Sequence, residues 1–479
     1  MIPMSLREVA DAVGGRLQRA DPATEVTAPA TLDSRAVPPG GLFVAVPGEH
    51  VDGHDYAAAA VAAGAVAVLA QRDVDAPAVT VTDTTLALGR LGAAVRARLT
   101  GCTVIGLTGS QGKTGTKDLL AHLLAAGGEV VAPSGSHNNE LGVPLTVLRA
   151  DEHTTFLVSE MGARGLGHIR YLAEIARPRV GLVLNVGVAH IGEFGSQAGI
   201  ATAKAELVES LPSDGLAVLN ADDPLVAAMA ARTTARVVTF GSSERADVRV
   251  VSPELDADGR PVFTLATAAG TAPVAMQLTG AHQALNGAAA AAVAVELGVP
   301  LTDVAGLLST ARQASRWRME RHQRSDGVVV INDAYNANPD SMRAALQTLA
   351  VVGRGRGART VAVLGEMLEL GDTGPDEHEA LGRLAAGLGV DRLVVVGEGA
   401  RPVHAAASAT AGWSGSSVPV ADVESAVGYL TDHVRPGDVV LVKASRATGL
   451  ERVASALLAG DGGTAATDGR TSSGGAAPS

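Results

Sequence analysis

The 479-residue chain has one cysteine, Cys102, and only 2% aromatic residues. A single thiol excludes an internal disulfide framework and a cysteine-rich metal knuckle, and Cys102, at a strand start, reads as a small packing residue. With so few rings, the cores must be aliphatic, and 47% of the residues are hydrophobic. Positive charge is short as well, the formal net charge being −12. No basic stripe exists to neutralise a phosphate backbone or an anionic bilayer, so nucleic acid and membrane surfaces are not expected partners. Long apolar runs are also missing. The longest, residues 56–70, contains Gly64 and falls short of the roughly 18 residues of a membrane span, so no membrane insertion is expected. The first residues, MIPMSLREVADAVGG, carry early acidic groups and no apolar stretch before a cleavage site, unlike a secretory signal. What remains is a cytoplasmic enzyme, expected as a monomer, that acts on small molecules.

What is present is alternation. Length alone suggests about three domains, and the texture changes twice. Residues 1–101 mix short strands with Ala-rich helices, among them a strand closed by a turn at 41–48 and a helix at 57–63. From Thr103 the pattern is strand, loop, helix: TVIGL then a helix at 118–126, TFLVS then a Gly-rich loop, VGLVLNV then 200–211, LAVL then 224–231. That series predicts a parallel sheet with crossover helices. Between 247 and 278 the period falls to two, with a DADG turn at 256–259, which predicts an antiparallel appendage. A long Ala-rich helix follows at 282–297. A second alternating series (VVVIN, TVAVL, RLVVV, DVVLVK) predicts another α/β domain. The fold class is therefore α/β, with domains at 1–101, 102–315 and 316–460. The tail 461–479, all small and polar, should be disordered.

The chemistry starts at LTGSQGKTGTK, residues 107–117. The strict phosphate-loop pattern needs glycine at 107, where this chain has Leu107, so the formal motif fails. The physics survives. Gly109 and Gly112 let the backbone of Thr108, Gly109, Ser110, Gln111 and Gly112 curl so that N–H groups face phosphate oxygens at a helix start. Lys113 supplies fixed positive charge and Thr114 a hydroxyl for Mg²⁺. Other polar residues fall at neighbouring strand ends: Glu160 after TFLVS, His190 beyond VGLVLNV, and Asn220, Asp222 and Asp223 after LAVL. In an open parallel sheet, ligands gather outside the carboxyl ends of strands, so these tips are expected to converge with Lys113 on one site, where the Glu160 carboxylate and the His190 imidazole suit cation ligation beside the phosphates. Two glycine patterns, GRGRG at 353–357 and GEG at 397–399, do not follow a strand into a helix with the required third glycine and support no dinucleotide site.

Several longer motifs then carry a resemblance: TGSQGKTGTK, SHNNELGVPLTVL (136–148), SEMGARGLGHI (159–169), NVGVAHIGEFGS (185–196), INDAYNANPDSM (331–342) and LGEMLELGD (364–372). Across roughly residues 32–453 the chain resembles the Mur ligases, the ATP-dependent amide-forming enzymes of bacterial cell-wall precursor synthesis. It departs from them at Gly115, where a Thr or Ser is usual, and at Gly449-Leu450, where a Met before the Glu is common. The resemblance implies a three-domain protein: an N-terminal UDP-binding domain, a central phosphate-loop ATPase domain and a C-terminal Rossmann-like domain. It also implies that ATP drives the joining of D-alanyl-D-alanine to a UDP-linked muramoyl tripeptide through an acyl phosphate. The alternatives are a sibling ligase adding a single amino acid, or a nucleotide-binding regulatory protein.

Roles follow from the resemblance residue by residue. Glu160 and His190 would be Mg²⁺-site residues. Lys204 would take up CO₂ to form a carbamate, which needs a neutral amine and hence a lowered pKa; composition alone would make it a solvated helix lysine. His282 and Asn286 would lie on the adenine side. Arg318 would reach the ATP phosphates from the last domain, so that closure accompanies turnover, and Asp333 would hold the ribose. Ser34 and Arg35, in a DSR turn, would hold the UDP end. Asn138, Asn139, Tyr335 and Asn336 would touch the peptide substrate, and Lys443, Ser445 and Arg446 would place the dipeptide.

Overall fold

The computed structural model describes residues 1–48, 51–187 and 194–459. His190 and the tail at 461–479 lie outside the described residues. The chain forms two compact units. The first is Met1–Arg318 with Asn338–Ala344 and Leu368–Gly374, and the second is Met319–Ala337, Ala345–Met367 and the residues from Pro375 on.

Within the first unit a nine-stranded sheet dominates. Its order is Gly270–Ala275, Pro261–Thr267, Val248–Leu255, Arg236–Gly241, Leu216–Asn220, Val180–Val183, Thr103–Thr108, Thr154–Glu160, Glu129–Val131. Pairing is parallel from Glu129–Val131 through Val248–Leu255 and antiparallel across the last two ladders. The expected appendage is thus a continuation of the parallel sheet, joined to it through only two residue pairs, Phe240 with Val248 and Gly241 with Arg249. Side-chain alternation sends Val104 to one core and Ile105 and Leu107 to the other. Both faces are covered, as a parallel sheet requires.

The first face carries the N-terminal module. There a four-stranded sheet runs Arg16–Gln18, Ala78–Thr80, Ala67–Ala70, Leu42–Val44, and helix Thr84–Arg98 leads to the large sheet. Leu88, Leu91 and Val95 of this helix share one core with Val143, Val147 and Ile175. Close approach is possible because Gly92 is bare: a Cβ there would stand 2.9 Å from the Pro144 ring. On the other face, helix His282–Glu296 presents Ala288–Ala292, all fully buried, against helix Lys113–Leu124. Small side chains on this helix stand where rings would otherwise fill the core.

The second unit holds a six-stranded sheet ordered Glu320–Gln323, Val329–Asn332, Val439–Lys443, Thr360–Leu364, Arg392–Val396, Ser416–Val420. All pairs are parallel except the first. The α/β class and the parallel series expected from the alternation are what the structure contains. Several helix limits differ from expectation, the helix expected at 200–211 spanning Gln197–Glu209. The helix expected from 118 starts at Lys113, because the loop geometry at Gly112, φ +81°, launches it earlier than side-chain propensity would. The helix expected at 224–231 stops at Ala227 and tightens into a 3₁₀ turn, Ala228–Arg232.

Candidate functional site

The loop between strand Thr103–Thr108 and helix Lys113–Leu124 is braced from outside. Asn185, just past strand Val180–Val183, accepts from the amides of Ser110 and Gln111 through Oδ1, both at 3.0 Å, and donates to the Gln111 carbonyl at 3.1 Å. Thr108 donates its hydroxyl to the Met161 carbonyl, 2.8 Å. Gly109 and Gly112 are needed for space: a Cβ on the first would lie 2.9 Å from Leu184 Cβ, and on the second 2.7 Å from Asn286 Oδ1. No side chain caps the helix start, which leaves its first-turn amides for an anion. Leu107, standing where the strict motif has glycine, is fully buried core.

Lys113 donates to the Gly109 carbonyl at 2.7 Å. Burial holds its pKa below the ordinary lysine value, the carboxylate of Glu160 working against this and Arg318 with it. Thr114 is the centre of a cluster. Its Oγ1 lies 2.7 Å from Ser136 Oγ and donates to Glu160 Oε1 at 3.5 Å. Arg318 Nη2 donates to both hydroxyls, 3.3 Å to Thr114 and 3.2 Å to Ser136. Lys113, Thr114, Glu160 and Arg318 are therefore brought together inside the first unit. Arg318, expected from the last domain, is the final residue of the first unit's main segment.

Glu160 is 1% exposed. Its Oε1 also accepts from Asn138 Nδ2 at 2.8 Å, while Oε2 is buried with no hydrogen-bond partner among the described residues. A buried carboxylate oxygen left without a donor costs free energy unless something cationic reaches it. The residues present therefore fit a hard divalent cation, with the Thr114 hydroxyl and Glu160 as oxygen donors. Among the described residues no three His, Cys, Asp or Glu converge on one point. His190, expected in the same set, lies outside the described residues.

Lys204 sits on helix Gln197–Glu209, which Ser196 caps. The chain does not solvate it: the residue is 6% exposed. Burial, and after it repulsion from Lys113, pushes its pKa well down. Among the described residues no hydrogen bond or ion pair is made by its ammonium.

The remaining strand-tip groups are occupied by the fold. Asn220 donates to the Leu184 carbonyl and accepts from the Asp222 amide. Asp222 accepts from the amides of Ser242 and Ser243, and Asp223 from those of Val186, Leu225 and Val226. These three side chains cap and brace backbone. Asn139 takes the Gly142 amide. Asn286, 8% exposed, donates to Gln283 at 3.2 Å beside Gly112, and the half-buried His282 opens the same helix. In the N-terminal module Arg35 forms a two-pronged pair with Asp33, whose carboxyl is held at about 2 by these bonds; Ser34 is the half-buried residue between them.

In the second unit Asp333 accepts from the Met319 amide at 3.0 Å and from Lys443 Nζ at 2.6 Å. Lys443 also donates to the Asn336 carbonyl, 2.7 Å. Tyr335 is half-buried, Asn336 exposed, and Ser445 buried, and Arg446 pairs with Glu451 at 2.8 Å. Two residues that motif reading passed over are Ser136 and Asn185. Each heads a quoted motif, but its partners are distant in sequence.

Comparison with known proteins agrees along the whole chain. Family models match as Mur ligase family, catalytic domain, over residues 30–105, Mur ligase middle domain over 107–294, and Mur ligase, glutamate ligase domain, over 317–446. The UDP-N-acetylmuramoyl-tripeptide--D-alanyl-D-alanine ligase of Mycobacterium tuberculosis is 48% identical, covering 96% of this chain and 99% of that protein. That of Escherichia coli is 35% identical over 95% and 99%. Among solved structures, MurF from Acinetobacter baumannii superposes with a TM-score of 0.84 at 33% identity, over 95% of this chain and 99% of that one. MurF ligase from Thermotoga maritima, in complex with ADP, gives 0.77 at 30% identity, over 91% and 98%.

Proposed function

The chain belongs to the Mur ligase family, and from that premise we propose that it joins D-alanyl-D-alanine to UDP-N-acetylmuramoyl-tripeptide at the expense of ATP. The observation that carries the reading is the cluster of Lys113, Thr114, Glu160 and Arg318 at the head of one helix. In a chain so similar to UDP-N-acetylmuramoyl-tripeptide--D-alanyl-D-alanine ligases, it has the charges phosphoryl transfer needs. The γ-phosphoryl group of ATP moves to the terminal carboxylate of the tripeptide, and ADP leaves. The dipeptide amine attacks the acyl phosphate carbon, the C–O bond to phosphate breaks, and amide, phosphate and a proton result.

No covalent nucleophile is required, so the work is positioning and charge stabilisation. Lys113 and Arg318 place two positive charges where the transferring group gathers negative charge. The first-turn amides of helix Lys113–Leu124 add partial positive charge at no reorganisation cost, and Asn185 braces the loop at Ser110 and Gln111 that leads into them. Mg²⁺, when bound, would neutralise phosphate oxygens, held by Thr114 and Glu160, with His190 as a further candidate. Lys204, with its lowered pKa, favours the neutral amine that carbamate formation with CO₂ consumes; the product would turn an unpartnered cation into an anionic oxygen donor. Such an enzyme works in the cytoplasm, where UDP-linked precursors and ATP are found, as a monomer, and supplies peptidoglycan synthesis, cell shape and division.

The test is phosphate release from ATP in the presence of the UDP-linked tripeptide and, separately, D-alanyl-D-alanine, single amino acids, or no acceptor. Release only with the dipeptide is the expected result. Release with a single amino acid would identify a sibling ligase, and tight ADP binding without release under any condition would identify a regulatory nucleotide binder.

A further inference from the structure

Lys117 and Asp118, one turn into the helix that begins with Lys113, have no part in the chemistry above. Yet Lys117 is 2% exposed, and a buried ammonium is retained only where it is fully engaged. It donates to the Pro133 carbonyl at 2.8 Å and to Ser315 Oγ at 3.5 Å, and pairs with Asp118 Oδ1 at 2.5 Å. Asp118 Oδ2 accepts the Ser315 amide at 3.1 Å. The Ser315 carbonyl is taken by Gln313 Nε2 at 2.9 Å. Ser315 is thereby held at its amide, its hydroxyl and its carbonyl.

The two segments so anchored are those that complete the cluster. Pro133 lies three residues before Ser136, and Ser315 three residues before Arg318. Ser136 and Arg318 then meet each other and Thr114. Arg318 is flanked by Trp317 and Met319, whose φ values of +58° and +52° are unusual for residues with side chains. Backbone held there must be constrained by its surroundings. We propose that the Lys117–Asp118 pair is a positioning device: it ties the Arg318 linker and the Ser136 loop to the helix that presents Lys113 and Thr114, so that one rigid element sets all four residues against the phosphates.

The inference rests on the ligase reading, and its test separates the two. Lys117→Met and Asp118→Ala are each expected to lower kcat by about 10- to 100-fold through misplacement of Arg318, with ADP affinity measured by calorimetry unchanged. Asp118→Asn, which keeps an acceptor for the Ser315 amide, should restore most of the rate lost in Asp118→Ala. In an Arg318→Ala background each substitution should cost no more than about threefold further, because coupled residues are non-additive. Full multiplicative losses in that background, or ADP affinity falling in step with kcat, would overturn the proposal. Should the wild type couple no acceptor at all, the ligase reading alone fails. Amide exchange of the peptide spanning 313–318 then decides: faster exchange in Asp118→Ala than in Asp118→Asn supports the tether, and equal exchange refutes it.

Discussion

Lys204 in the first unit and Lys443 in the second are both nearly excluded from water, 6% and 2% exposed. One is surrounded by partners and the other is not. Lys443 gives its protons to Asp333 and to the Asn336 carbonyl. Among the described residues Lys204 has no partner, and its nearest charged influence is the repelling Lys113. The contrast separates two uses of a buried cation. Where donors and acceptors close on each other, the group holds the fold, as in the second unit. Where they do not, as with Lys204 and Glu160 Oε2, burial carries a cost that no partner among the described residues offsets.

The largest effect expected from this division is at Lys113. Lys113→Ala should lower turnover by about 10²–10³-fold or more while circular dichroism and melting stay those of the wild type; normal turnover would remove the phosphate-loop assignment. Next is Lys204→Met. Turnover should again collapse, but in CO₂-free buffer the melting temperature should rise, since the substitution removes a buried amine that nothing satisfies. A fall in melting temperature would show that Lys204 is structural, and the contrast with Lys443 would be lost. For Lys443→Met the opposite sign is expected, a destabilisation of about 3–5 kcal/mol as Asp333 is left buried without its counter-charge. Urea unfolding with an unchanged midpoint would contradict it.

The smallest effect tests the same rule at the surface. Asp52 accepts the His54 amide and faces its imidazole at 2.5 Å. Because His54 Nε2 accepts from the Gln71 amide, the proton on Nδ1 points at Asp52. These bonds, the backbone one first, hold the Asp52 carboxyl at about 2 against an ordinary 3.8. A depressed folded-state pKa stabilises above the unfolded value and the benefit is lost as pH falls through the folded one. Asp52→Asn should therefore melt slightly below the wild type at pH 7, with the gap closing between pH 4 and pH 2. A gap independent of pH would show that charge is not its cause.

Much of the site was legible in the residues. Gly109, Gly112, Lys113 and Thr114 follow a buried strand, and local chemistry is enough to read a phosphate loop from that even with Leu107 in place of glycine. That Glu160 lies beside Thr114 was readable because neighbouring strand ends of a parallel sheet open on the same side. At Asn220, Asp222 and Asp223 the same rule gave position only, their oxygens accepting the backbone amides of Asp222, of Ser242 and Ser243, and of Val186. Position at a strand tip was visible in the sequence, but the donor awaiting the carboxylate was not. Ser136 and Asn185 were unreadable for a related reason. A serine after a glycine, or an asparagine after a strand, carries no periodic or motif signal until its partner 22 or 74 residues away is known.

The amino-acid sequence by itself determined the α/β class, the alternation of strands and crossovers, the curled loop and its lysine, because these depend on side-chain period and on backbone freedom within a few residues. Tertiary structure alone decided which polar groups are satisfied. Among the described residues it left one oxygen of Glu160 and the amine of Lys204 unmet, closed Asp333 on Lys443, and set Arg318 on Thr114. Hydrogen bonding between groups far apart in the chain exists only once packing has brought them within about 3 Å of each other, and no local pattern encodes that distance.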